Sequence, residues 1–227
     1  MELSEVMRTR HSVRQYADKA IEMDILNILQ NEINACNKEG NLHIQLVPDE
    51  PKAFDSLMAH YGKFKGVKNY IALVGTKGKA LEEKCGYYGE RLVLKAQQLG
   101  LNTCWVAMTY KRIPGAFKVE KGEKLTVVIA LGYGKTEGAE HKSKPMDAVS
   151  NINPDSPEWF KQGVEAALLA PTAMNQQKFM LSYTEGKVTA TAGKGFYTKI
   201  DLGIVKYHFE VGAGKEKLHL GIIFGEC

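Results

Sequence analysis

Arg10-His11-Ser12-Val13-Arg14 gathers two guanidinium groups, an imidazole and a hydroxyl within five residues. Arginines at i and i+4 fall on one side if the segment turns. With Ser12 they can grip a phosphate through bidentate, charge-assisted hydrogen bonds. On spacing alone the segment suits a solvated basic helix end as well. A second stretch, Ala170-Pro171-Thr172-Ala173-Met174-Asn175-Gln176-Gln177, is dense in small residues and neutral hydrogen-bonding groups. Such a loop can bring backbone N–H groups up to a phosphate or a planar heterocycle; taken alone it is equally a polar connector. Thr103-Cys104-Trp105-Val106-Ala107 follows a helix end, and its small residues let backbone approach a ligand, with Trp105 as ready for a core as for a cofactor. Gly132-Tyr133-Gly134, followed by Lys142-Ser143-Lys144-Pro145, can add point charges beside a phosphate, although many lysine pairs are merely solvated.

Other chemistries lack a foothold. There is no G-x-G-x-x-G after a strand, no P-loop, no H-E-x-x-H and no G-x-S-x-G. The six histidines are dispersed and read as surface or structural residues, so no metal site is expected. Cys36, Cys85, Cys104 and Cys227 form no C-x-x-C pair, which points to reduced thiols and a cytoplasmic location. The net charge of +4 describes a mixed surface. A nucleic-acid module would interleave aromatic and basic residues along its strands, and this chain does not. The first residues carry no apolar signal core, and no run of about 18 apolar residues predicts a membrane span.

The elements that would position these groups follow from hydrophobic periodicity. Helices are expected over residues 2–9, from a cap at Asp24 to Ala35, over Pro51–Tyr61, Ala80–Gly100 and Glu158–Leu169, and as an amphipathic helix over Asp201–Gly212. Leu42–Pro48 alternates as a half-buried strand; Tyr70–Gly75 and Leu125–Gly132 are continuous apolar runs suited to buried strands. Asn102–Met108 reads as a strand or extended turn. Lys178–Thr184 and Lys187–Ala192 fit a hairpin about Glu185-Gly186, and Leu218–Phe224 a final strand. Asn151–Pro157, rich in turn formers, reads as a linker. Without regular βαβ alternation, the fold class is α+β with a mostly antiparallel sheet flanked by helices.

Taken in order, these segments resemble the FMN-dependent nitroreductase family. Its opening R-[RH]-S-[VI]-R motif stands intact at Arg10, His11, Ser12, Val13 and Arg14. GYYGERLVLKAQQLGLNTCWVA is similar to its second fingerprint and VVIALGYGK, with the basic residues before Pro145, to its third. The family's A-P-S-x-x-N-x-Q-P loop is absent from its usual place, where Asn34–Asn41 reads NACNKEGN; its counterpart APTAMNQQ occurs at residues 170–177. The resemblance covers most of residues 4–150 and recurs in 158–215.

That resemblance implies FMN, held by Arg10, His11, Ser12 and Arg14, by backbone around Trp105, Val106 and Ala107, by Lys142 and Lys144, and by Pro171, Thr172, Ala173, Asn175 and Gln177. It implies a single-chain pseudo-dimer: a nitroreductase-like part over 1–150, a linker over 151–157, and a reduced second part over 158–227 completing one flavin site. The chain would be a monomer or a homodimer. The implied activity passes hydride from NAD(P)H through flavin N5 to a small acceptor such as a nitroaromatic or quinone, with no catalytic side chain required. A non-catalytic flavin-binding or flavin-sensing protein of the same fold is the alternative.

Overall fold

The two continuous apolar runs become the middle of a four-stranded sheet. In the computed structural model, which describes residues 2–214, they lie within β2 (Asn69–Thr76) and β4 (Glu123–Gly132). With β1 (Gln45–Val47) and β3 (Asn102–Val106) they form an antiparallel sheet in the order β1-β2-β4-β3. Ile71 lies opposite Ile129, and Cys104 opposite Ala130. On one face Tyr70, Ala72, Val74, Val128 and Ala130 join a cluster with Phe54, Phe64 and Phe117. Ile71, Leu73, Ile129 and Leu131 of the other face are equally buried. Burial on both faces explains runs without polar alternation.

The described residues divide into two compact units that do not follow chain order. One contains this sheet and comprises residues 10–81 and 91–140; the other comprises residues 2–9, 82–90 and 141–214. In the sheet-bearing unit, α2 (Met23–Gly40) starts one residue before the expected cap. Glu22 holds the N-cap position without a side-chain cap bond, and Asp24 sits in the first turn, where its charge suits the helix dipole. The helix expected over Pro51–Tyr61 is broken. A 3₁₀ turn spans Pro51–Ala53 and α3 spans Leu57–Tyr61, because Ser56 Oγ accepts the Ala59 amide at 3.2 Å and starts a new helix.

The other unit is built around helices. It holds α1 (Leu3–Thr9), the first half of α4 (Leu81–Gln98), α5 (Glu158–Ala167), a hairpin of β5 (Phe179–Thr184) and β6 (Lys187–Ala192), and α6 (Thr198–Ala213). Glu185 and Gly186 turn the hairpin at φ 51° and 78°, the left-handed pair that a two-residue turn requires. Residues 151–157 pack within this unit, where Asn151 exchanges hydrogen bonds of 3.0 and 2.8 Å with the Tyr183 backbone. The expected final strand Leu218–Phe224 lies outside the described residues.

Helix α6 is not amphipathic in its setting: apart from Lys199, every residue from Thr198 to Phe209 is buried. Its polar residues are admitted by partners on α4. Lys206 bonds Glu83, Glu210 accepts from Tyr87 Oη, and His208 Nε2 lies 2.9 Å from Glu90 Oε1. His208 Nδ1 faces the Ala166 carbonyl at 3.1 Å and so must carry hydrogen. The buried Glu90–His208 contact therefore shares one proton, as an ion pair or as acid and imidazole. Removing either partner would strand a buried polar group.

Two glycines let the helix backbones touch. A Cβ on Gly86 would lie 2.0 Å from the Ile200 carbonyl oxygen, and one on Gly203 would lie 2.0 Å from that of Glu83. Gly203→Ala is expected to cost about 1–3 kcal/mol or more through overpacking, read as a lower urea midpoint. An unchanged midpoint would contradict this packing.

Candidate functional site

The arginine segment is neither a helix end nor a free loop. In the sheet-bearing unit it runs extended along β3: Ser12 forms a parallel bridge with Thr103, and the Val13 amide donates to the Thr103 carbonyl at 3.0 Å. Lys65 and Arg14 bond through their backbones at 2.9 Å, Tyr16 donates to the Lys65 carbonyl at 2.9 Å, and Ala17 to the Tyr133 carbonyl at 2.7 Å. Tyr16 Oη closes the stretch by donating to the Val13 carbonyl at 2.7 Å. The anticipated turn is thus replaced by a strand-like path.

This lacing brings three of the sequence segments together. Residues 10–14 adjoin Thr103 at the start of Thr103–Ala107, β4 pairs with β3, and Tyr16 bridges Gly134 just beyond it. Gly138 approaches so closely that a Cβ there would lie 2.7 Å from His11 Cβ and 3.1 Å from the Ser12 carbonyl. Arg10 is only 4% exposed, Arg14 is exposed, and Ser12 and His11 are half-buried. His11 Nδ1 is buried without a hydrogen-bond partner among the described residues. A buried polar atom left so calls for a partner that the protein does not supply. With the neighbouring guanidinium and hydroxyl, it suits an anionic ligand with polar substituents. Val106 is buried, and Trp105 and Ala107 are half-buried. Burial pushes the Cys104 thiol upward, so no nucleophile is offered here.

Lys142, Lys144 and the 171–177 loop come together in the other unit. Lys144 Nζ donates to the carbonyls of Gln176 and Gln177 at 2.9 and 3.1 Å, and its amide donates to Gln177 Oε1 at 2.8 Å. The Lys142 carbonyl accepts from Asn175 Nδ2 at 2.8 Å and Gln177 Nε2 at 2.9 Å. Thr172 Oγ1 accepts the Gln177 amide at 3.0 Å. Lys144 thus closes the loop as well as bringing charge to it. Met174, Asn175 and Gln177 hold φ of 51°, 53° and 44°. Asparagine tolerates that region, whereas methionine and glutamine are strained in it. Pro171 and Ala173 are half-buried and Thr172 is buried.

Sequence reasoning did not assign roles to Asp201 or Gln176. Asp201 Oδ1 accepts the Ala173 amide at 2.9 Å, and Oδ2 accepts from Gln176 Nε2 at 2.7 Å. An acid in the first turn of a helix is ordinary; only the return of the loop onto α6 makes this one distinctive, and no local pattern shows that. Burial raises the Asp201 carboxyl from 3.8 to about 6, outweighing the two hydrogen bonds that favour its charge. The folded state therefore holds the proton more tightly than the unfolded chain. The stability this group contributes is full below about pH 4 and is lost as pH rises through about 6. Asp201→Asn, which does not titrate, is expected to gain on wild type by on the order of 2–3 kcal/mol between those limits. Urea unfolding of both proteins at each pH checks this; a constant difference would contradict it.

No helix among the described residues is long and apolar enough to cross a membrane. No curated protein matches the chain. A protein of Thermotoga maritima described as a "putative nitroreductase" shares its fold, with TM-score 0.66, 24% identity, and 93% of this chain and 83% of that chain covered. A nitroreductase of Desulfovibrio desulfuricans solved with FMN, likewise called "putative", superposes with TM-score 0.54 at 16% identity, over 68% of this chain and 98% of its own. A Bacteroides thetaiotaomicron protein described as "Putative NADH dehydrogenase/NAD(P)H nitroreductase" gives TM-score 0.53 at 18% identity, with the same coverages. The model of the family described as "Putative TM nitroreductase" matches residues 2–213, nearly the whole described chain, and the protein belongs to this nitroreductase family.

Proposed function

We propose that the chain is an FMN-dependent oxidoreductase that takes electrons from NAD(P)H and delivers them to a small acceptor such as a nitroaromatic or quinone. The observation that carries this is the arginine segment laced along β3, with Arg10 buried and His11 Nδ1 left unsatisfied. Family membership supports a flavin oxidoreductase in general, and one structural relative was solved with FMN.

Bound FMN would supply the two-electron chemistry. The protein's share is binding, orientation and electrostatics. Arg10 and Arg14 would neutralise the phosphate, with Ser12 and His11 donating to it or to the ribityl chain. Backbone around Trp105, Val106 and Ala107 would face the ring, where a fixed amide donor stabilises developing negative charge. The Pro171–Gln177 loop would be a further flavin contact, with Lys142 and Lys144 as its cations, and in this reading residues 158–227 act as a reduced second part of a pseudo-dimer. One flavin per chain is expected, in a cytoplasmic monomer or homodimer.

Two measurements test this. Protein loaded with FMN should bleach its visible flavin band on anaerobic addition of NADH or NADPH and regain it with a quinone or nitroaromatic. A band untouched by either nucleotide would leave a flavin-binding protein without this activity. Arg10→Ala is expected to weaken FMN binding by roughly 1.5–3 kcal/mol, the range for a hydrogen bond to a charged group. An unchanged dissociation constant would remove Arg10 from the site.

A further inference from the structure

Asp201 and Gln176 have no direct part in the cofactor contacts assigned above, yet their geometry brackets the strained stretch of the loop. The two carboxylate oxygens of Asp201 take separate donors: Oδ1 accepts the Ala173 amide at 2.9 Å and Oδ2 accepts Gln176 Nε2 at 2.7 Å. Between those donors lie Met174 and Asn175, both left-handed. Gln176 Nε2 also donates to the Phe196 carbonyl at 2.8 Å, tying the loop to the chain just ahead of α6. One side chain of α6 thus spans the kink from both sides.

The frame behind that bracket is rigid. Asp201 is 3% exposed, and α6 is buried around it. Two residues along, Gly203 is in backbone contact with α4. A carboxylate in such a setting cannot follow a moving loop, so the loop must follow it. Lys144 supports only the far end, through the carbonyls of Gln176 and Gln177. At the near end the Ala173 amide is held by Asp201.

We propose that Asp201, acting through Gln176 and the Ala173 amide, is a positioning residue that holds the Pro171–Gln177 loop in the shape that contacts FMN. The inference rests on the flavin reading of that loop. It assigns the bracket a role in ligand affinity beyond its role in stability. The carboxylate touches no cofactor itself; it selects one backbone conformation of the loop, and the binding-competent fraction of the protein falls when it is lost.

The test is a double-mutant cycle on FMN affinity with Asp201→Asn, Gln176→Leu and the double variant, each checked for a cooperative melt above the assay temperature. Gln176 is only half-buried, so its variant keeps the test open if Asp201→Asn folds poorly. Each single change is expected to raise the FMN dissociation constant about tenfold, the equivalent of one lost hydrogen bond to a charged group. The double variant should be no weaker than the worse single, because both remove the same bracket. The visible circular dichroism of bound flavin should change in parallel. Lower melting temperatures with an unchanged FMN dissociation constant, or fully additive losses, would overturn the positioning role while leaving the flavin reading intact. Wild-type protein that takes up no FMN would overturn both.

Discussion

The bond from the Val13 amide to the Thr103 carbonyl is the contact on which the proposed anion cradle depends. Among the described residues strand β3 ends the sheet order, so its outer side can take further backbone bonds. Ser12 and Val13 cover part of that edge, and in doing so tie the arginine cluster to the sheet of its unit. The bonds of Arg14, Tyr16 and Ala17 to two further loops then leave the segment little freedom.

The other unit solves a different problem with the same economy. Its central helix carries an aspartate, a lysine and a histidine in buried positions, and each meets a bonding partner: Gln176 and the Ala173 amide, Glu83, and Glu90. The pairings of Lys206 and His208 fall on the stretch of α4 where Gly86 allows the backbones to touch. The strain of left-handed Met174 and Gln177 persists because bonds from Asp201, Lys144 and Thr172 over-determine the loop.

Much of this was legible in the residues. The buried strands were visible as Tyr70–Gly75 and Leu125–Gly132 because double-sided burial removes alternation. The hairpin followed from Glu185-Gly186, whose turn chemistry is local. The family was visible in the order of three fingerprints. What escaped was set by tertiary context. Asp24 looked like a cap, but Glu22 holds that position and its side chain bonds Tyr133, far along the chain. Ser56 split a helix that periodicity alone would have continued. Helix α6 read as amphipathic because Asp201, Lys206 and His208 interrupt its apolar residues, and only partners on other elements reveal that those positions are interior. The extended path of residues 10–16 depends on the Thr103 carbonyl, a backbone group with no signature in the side-chain pattern.

The central claim is that Arg10, Ser12 and Arg14 hold the phosphate of a flavin nucleotide. It is tested most directly by comparing FMN with riboflavin, which has the same ring and ribityl chain but no phosphate. The account predicts that wild-type protein binds FMN about 10- to 150-fold more tightly than riboflavin, as charge-assisted hydrogen bonds of this kind imply, and that Arg10→Ala removes most of that preference. Equal affinities for the two flavins in the wild-type protein would contradict it.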